Sequence, residues 1–67
     1  VTLPEIKHAI RHRLHRLGWT QADLATELAT SQQHISRMLS ERHAPHMAHL
    51  LETLDVLGME LVVRVKR

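Results

Sequence analysis

The sequence predicts a small, mostly α domain of four to five helices that ends in one β-strand. Three observations carry this prediction. Apolar residues recur at three- and four-residue steps through most of the 67 residues, Thr, Asp and Gly stand where those runs begin and end, and after Gly58 the period drops to two. A chain of this length supports one core, since so small a domain leaves roughly 40% of its unfolded surface exposed even when folded. Residues 1–58 are therefore expected as one compact unit and residues 59–67 as a terminal strand.

Thr2 and Glu5 have the spacing of a capping box, and Pro4 falls in the first turn, where a missing N–H matters little. Leu3, Ile6, Ile10, Leu14 and Leu17 then form one stripe, and Gly18 suits a left-handed stop. Thr20 with Asp23 opens a short second helix carrying Leu24, Ala25 and Leu28. Thr30 and Gln33 repeat the capping spacing ahead of a third helix, with Ile35, Met38 and Leu39 inward, which runs to about Glu41. Residues 42–46 read as a linker. Met47, Leu50, Leu51, Leu54 and Leu57 give a fourth helix one apolar face, as core or as an interface, and Gly58 stops it.

Beyond Gly58, Met59, Leu61, Val63 and Val65 alternate with Glu60, Val62, Arg64 and Lys66, and three valines oppose helix. A lone strand has no ladder partner, so pairing with the same strand of a second copy is expected, which makes the chain a homodimer.

Composition narrows the function. Apolar residues make up 43% and charged residues 24%, a globular balance, and no apolar run approaches the roughly 18 residues of a membrane span. There is no cysteine, which removes disulfides and thiolate metal sites and fits a reducing compartment. No leader pattern opens the sequence, so a cytoplasmic location is expected. The net charge of +2 is small, although the pI near 9.9 leans towards a nucleic-acid partner. Its distribution is polarised: residues 1–18 hold Lys7, Arg11, Arg13 and Arg16 against Glu5 alone, whereas residues 47–58 carry only acids.

Residues 21–40 hold two short helices around a tight corner, which is a helix-turn-helix. The second helix of such a pair fits the major groove of B-DNA, and its outer face reaches base edges. With Ile35, Met38 and Leu39 inward, Gln33, Ser36, Arg37 and Ser40 face out, and Ser31 and Gln32 stand at the N-terminus beside free N–H groups suited to an anion. Gln pairs with adenine, Arg with guanine, and short Ser side chains let the backbone approach phosphate.

The runs Thr20-Gln21-Ala22-Asp23-Leu24-Ala25 and Thr30-Ser31-Gln32-Gln33-His34-Ile35 resemble the Xre and phage Cro/repressor family of bacterial regulators, over roughly Ile6 to Gly58. The resemblance implies a lambda-repressor-like DNA-binding fold. It also implies Gln21 as a phosphate anchor, Gln32, Gln33 and Arg37 as base readers, Ser31 and Ser36 as weaker contacts, and Arg42, with His43 and His46, on the phosphate path. The ending Leu57-Gly58-Met59-Glu60-Leu61-Val62-Val63-Arg64 is similar to HipB-like regulators, which implies a terminal dimer strand and a toxin protein as partner. Two positions depart from the family: Ala29 replaces a turn glycine, and Glu41 places an acid where glycine is frequent. A non-glycine residue at positive φ there costs on the order of 1 kcal/mol.

Competing readings are weaker. The seven histidines include His8 and His12 one turn apart and His43, His46 and His49 at every third position, a pattern that admits a metal. His8, His12 and His15 lie opposite the apolar stripe, however, and read as solvated residues whose protonation strengthens phosphate attraction as pH falls from 8 to 6. Trp19 reads as a plug in a helical bend. No nucleophile elbow, phosphate loop or metal-binding carboxylate set is present, so neither an enzyme nor a cofactor is expected. The expectation is a repressor that binds a palindromic operator as a homodimer and regulates its own synthesis. The alternative is an antitoxin whose main task is neutralising a toxin by contact.

Overall fold

A computed structural model of the chain describes residues 2–40, 42, 44–62 and 65. Four helices are present among them: α1 (Leu3–Leu17), α2 (Gln21–Glu27), α3 (Gln32–Met38) and α4 (Met47–Val56).

Three of the four helices, α1, α2 and α3, start where the sequence offers a side-chain acceptor, while α4 starts after His46 without a side-chain cap bond. The Thr2 hydroxyl accepts from the Glu5 N–H at 3.3 Å. At α2 the box is complete, with Thr20 Oγ1 accepting from Asp23 N–H at 3.2 Å and the Asp23 carboxylate accepting from Thr20 N–H at 2.7 Å. At α3 the cap is Ser31, whose hydroxyl accepts from His34 N–H at 3.1 Å. The expected Thr30 cap is thus displaced by one residue. The cause is local: Thr30 N–H donates back to the Ala25 carbonyl at 2.9 Å and so belongs to the end of α2.

Three helix ends share one device. Gly18, Ala29 and Gly58 are left-handed, with φ of 70°, 53° and 70°. In each case the N–H of the left-handed residue bonds three residues back and the following N–H bonds five back: Gly18 to His15 with Trp19 to Leu14, Ala29 to Thr26 with Thr30 to Ala25, and Gly58 to Asp55 with Met59 to Leu54. This is the Schellman arrangement, which satisfies carbonyls that a helix end leaves orphaned. Ala29 therefore does a glycine's task, as its sequence position implies.

Every helix contributes to one core. Ile10 and Leu14 of α1, Leu24 and Ala25 of α2, Ile35 and Met38 of α3 with Leu39 just beyond it, and Leu50, Leu54 and Leu57 of the α4 region are buried together. Leu3, Ile6, Trp19, Leu28, Met59 and Leu61 pack partly against them, so Trp19 closes the bend between α1 and α2 as a plug. Thr53 is also buried, its hydroxyl donating to the His49 carbonyl at 2.8 Å within α4 and lying 3.6 Å from the Met38 sulfur.

Two expectations, the end of α3 and the terminal strand, are corrected. α3 closes at Met38 rather than near residue 41, because Ser40 N–H bonds three residues back to Arg37 and tightens the chain out of the helix. The apolar face of α4, expected as core or as an interface, is divided: Leu50, Leu54 and Leu57 are buried, while Met47 is 58% and Leu51 47% exposed. The strand expected after Gly58 is not formed among the described residues 59–62 and 65, since a strand needs a ladder partner and a single chain provides none; positions 63, 64, 66 and 67 of that expectation lie outside the described residues. Met59 and Leu61 turn inward, while Val62 and Val65 are exposed.

Candidate nucleic-acid interface

α2 and α3 pack on each other across the corner at Ala29 and Thr30. Leu24 and Ala25 from one helix and Ile35 and Met38 from the other are buried, so the pair has one wet side and one dry side.

On α3 the wet side is polar throughout. Gln32, Gln33, Ser36 and Arg37 are all exposed, and their spacing of i, i+1, i+4 and i+5 places them on one strip of the helix. Ser31 is exposed at the start, its hydroxyl engaged by the His34 N–H. Gln21 is half-buried as the first residue of α2. Ser40 departs from the expected outward face, being half-buried beyond the helix with its carbonyl bonded to Lys7. Arg42 is exposed in the following turn, whereas the Glu41 and His43 readings lie outside the described residues.

Beside this strip, His34 meets His49 of α4 edge to face at 5.4 Å, and His46 meets His49 in the same manner at 5.7 Å. His34 and His49, with Leu28, Thr30, Glu52 and Thr53, line a cavity of about 110 Å³ between α3 and α4. Among the described residues, no group of three or more His, Cys, Asp or Glu is arranged to hold a metal ion.

The sequence reading missed the use of the α1 cations. Lys7 donates from Nζ to the Ser40 carbonyl, Arg11 from its guanidinium to the Leu39 carbonyl, and Arg13 from Nε to the Leu57 carbonyl at 2.9 Å. A signal was available for Lys7, which falls four residues after Leu3 and three before Ile10, on the buried stripe. A cation there must find acceptors inside the protein.

The chain matches the family model described as helix-turn-helix over residues 10–63, a span that contains α2, α3 and α4 whole. It belongs to the helix-turn-helix family, of the Xre-like kind. No curated protein and no solved structure matches the chain. A helix-turn-helix domain of this kind is the mark of a DNA-binding regulator, a class that is generally non-enzymatic. Among the described residues of this helix-turn-helix protein, no helix is long and apolar enough to cross a membrane.

Proposed function

We propose that the protein is a sequence-specific repressor, acting in the cytoplasm on its own promoter, that binds a palindromic operator as a homodimer with α3 of each subunit in a major groove. The observation that carries this reading is the exposed strip of Gln32, Gln33, Ser36 and Arg37 on a helix whose other side is locked into the core. Arg37 bonds guanine O6 and N7, and Gln32 or Gln33 bonds adenine N6 and N7, because only the major groove presents each base pair's distinct donors and acceptors. Gln21, at the start of α2, is assigned to a phosphate, and Arg42 to the backbone beyond the reading face. Ser31 and Ser36 make supporting contacts. Ser40 is assigned a phosphate contact at most, since it lies half-buried beyond the helix and its N–H is already bonded to the Arg37 carbonyl.

The homodimer is favoured by the apolar surface away from α3. Met47, Leu51, Val62 and Val65 are exposed, and a groove of about 1,120 Å³ runs between α1, α4 and the tail. The same surface favours the second reading, in which the chain is an antitoxin that covers a toxin protein; exposed apolar patches of this kind mark protein contacts.

Selection of bound duplexes from a random library tests the first reading. The purified chain enriches an inverted repeat whose half-sites lie about 34 Å apart or a multiple of it. Enrichment of no sequence, together with tight binding to the product of a neighbouring gene, favours the second.

A further inference from the structure

Lys7 is 3% exposed. An ammonium group so placed is unfavourable unless acceptors surround it, and its Nζ donates to the carbonyl oxygen of Ser40. One turn further along α1, the Arg11 guanidinium donates to the carbonyl oxygen of Leu39. Both acceptors follow directly on α3, whose C-terminal end carries the negative pole of the helix dipole and unsatisfied carbonyls. The ends of α1, α2 and α4 are closed by left-handed residues of their own, Gly18, Ala29 and Gly58, and no other described residue has positive φ. The end of α3 is instead tied to another helix.

We propose that Lys7 and Arg11 are positioning residues for the α3 reading face and not phosphate contacts. This rests on the DNA-binding reading above. The two cations hold the C-terminal end of α3 against α1, while the Ala29 turn holds its other end against α2, so the pitch of α3 is fixed at both ends. Base recognition depends on that pitch, because a bidentate Arg–guanine or Gln–adenine pair tolerates little rotation. Attraction to random DNA does not, since it depends on charge near the backbone. Both residues are cationic and lie in the basic first helix, yet each presents a donor to a carbonyl of its own chain.

The test measures affinity for the library-selected duplex and for a random duplex over a range of salt, for wild type, Lys7→Met and Arg11→Gln. Arg11→Gln, at an exposed position, keeps the core intact, and thermal melting establishes the folded fraction of both variants. Each substitution is expected to weaken binding to the selected duplex by roughly tenfold, leave binding to random duplex and the slope of log affinity against log salt unchanged, and so lower the ratio between duplexes by the same factor. Arg11→Lys, which keeps a donor, retains most of that ratio. Losses equal on both duplexes with a slope shallower by about 0.9 per substitution overturn the inference in favour of phosphate contact. Equal losses without a slope change, or no loss, overturn it as well. A wild-type chain that prefers no duplex overturns the DNA-binding reading itself, a result distinguishable because it precedes any variant.

Discussion

Arg13 donates from Nε to the carbonyl oxygen of Leu57 at 2.9 Å, joining the middle of α1 to the end of α4 across 44 positions of sequence. The same guanidinium lies against Gly58, where an added Cβ would stand 3.6 Å from one of its terminal nitrogens. The first helix thus clasps the ends of two others, α3 through Lys7 and Arg11 and α4 through Arg13. The cluster of basic residues near the N-terminus is in large part an internal fastening.

Arg13→Met removes the donor at Leu57 and keeps the apolar stem. Arg13 is half-buried, so the loss is on the order of 1 kcal/mol, read as a lower urea midpoint with an unchanged slope. Arg16→Met, at an exposed position of the same helix, is the control and stays within about 0.5 kcal/mol of wild type. Equal effects at the two positions contradict the clasp.

Ala29 holds φ of 53° without glycine's freedom. Relief of the left-handed penalty, about 1–2 kcal/mol, exceeds the entropy that glycine loses on folding, about 0.5–1 kcal/mol. Ala29→Gly is therefore expected to stabilise the protein by roughly 0.5–1 kcal/mol and to raise its melting temperature by roughly 2–8 °C. A lower melting temperature contradicts the strain assigned to this corner.

Ile35 and Ser36 are neighbours with opposite surroundings, the first 0% exposed and the second on the polar strip. Ile35→Ala is expected to cost about 2–5 kcal/mol, a large share of the roughly 3–10 kcal/mol available to a domain this small. Ser36→Ala leaves stability within about 0.5 kcal/mol and acts on DNA affinity. Chemical denaturation of the two variants separates the dry side of α3 from its wet side.

If the exposed apolar surface is the homodimer face, sedimentation returns twice the 7.7 kDa of one chain. Val62→Asp, at a position 56% exposed, then shifts the mass towards one chain without loss of helix content. A wild-type mass of one chain at the concentrations that bind DNA contradicts the dimer.

Most of the helical frame was legible because the signals were local. Thr20 with Asp23, and the glycines at 18 and 58, act within five residues, so spacing alone exposes them. The α3 cap was misplaced by one residue because Thr30 and Ser31 are both competent caps. What decides between them is the bond from Thr30 N–H to Ala25, a property of the preceding helix end. Gln33, Ser36 and Arg37 followed from the helical period and Gln32 from its place at the helix start, whereas the same period misplaced Ser40, since the chain leaves the helix at Met38. The bonds of Lys7, Arg11 and Arg13 span 28 to 44 positions and depend on how α1 crosses the others, which no periodicity encodes. The tail pattern specifies alternation but not the partner that turns alternation into a strand.

The central claim is that α3 reads bases, and the affinity ratio between selected and random duplex for Arg37→Ala and Gln33→Ala tests it most directly. Each substitution is predicted to cost about 1–3 kcal/mol on the selected duplex and much less on random DNA, with relaxed preference at one base pair per half-site. Equal losses on both duplexes, or none on either, contradict the account.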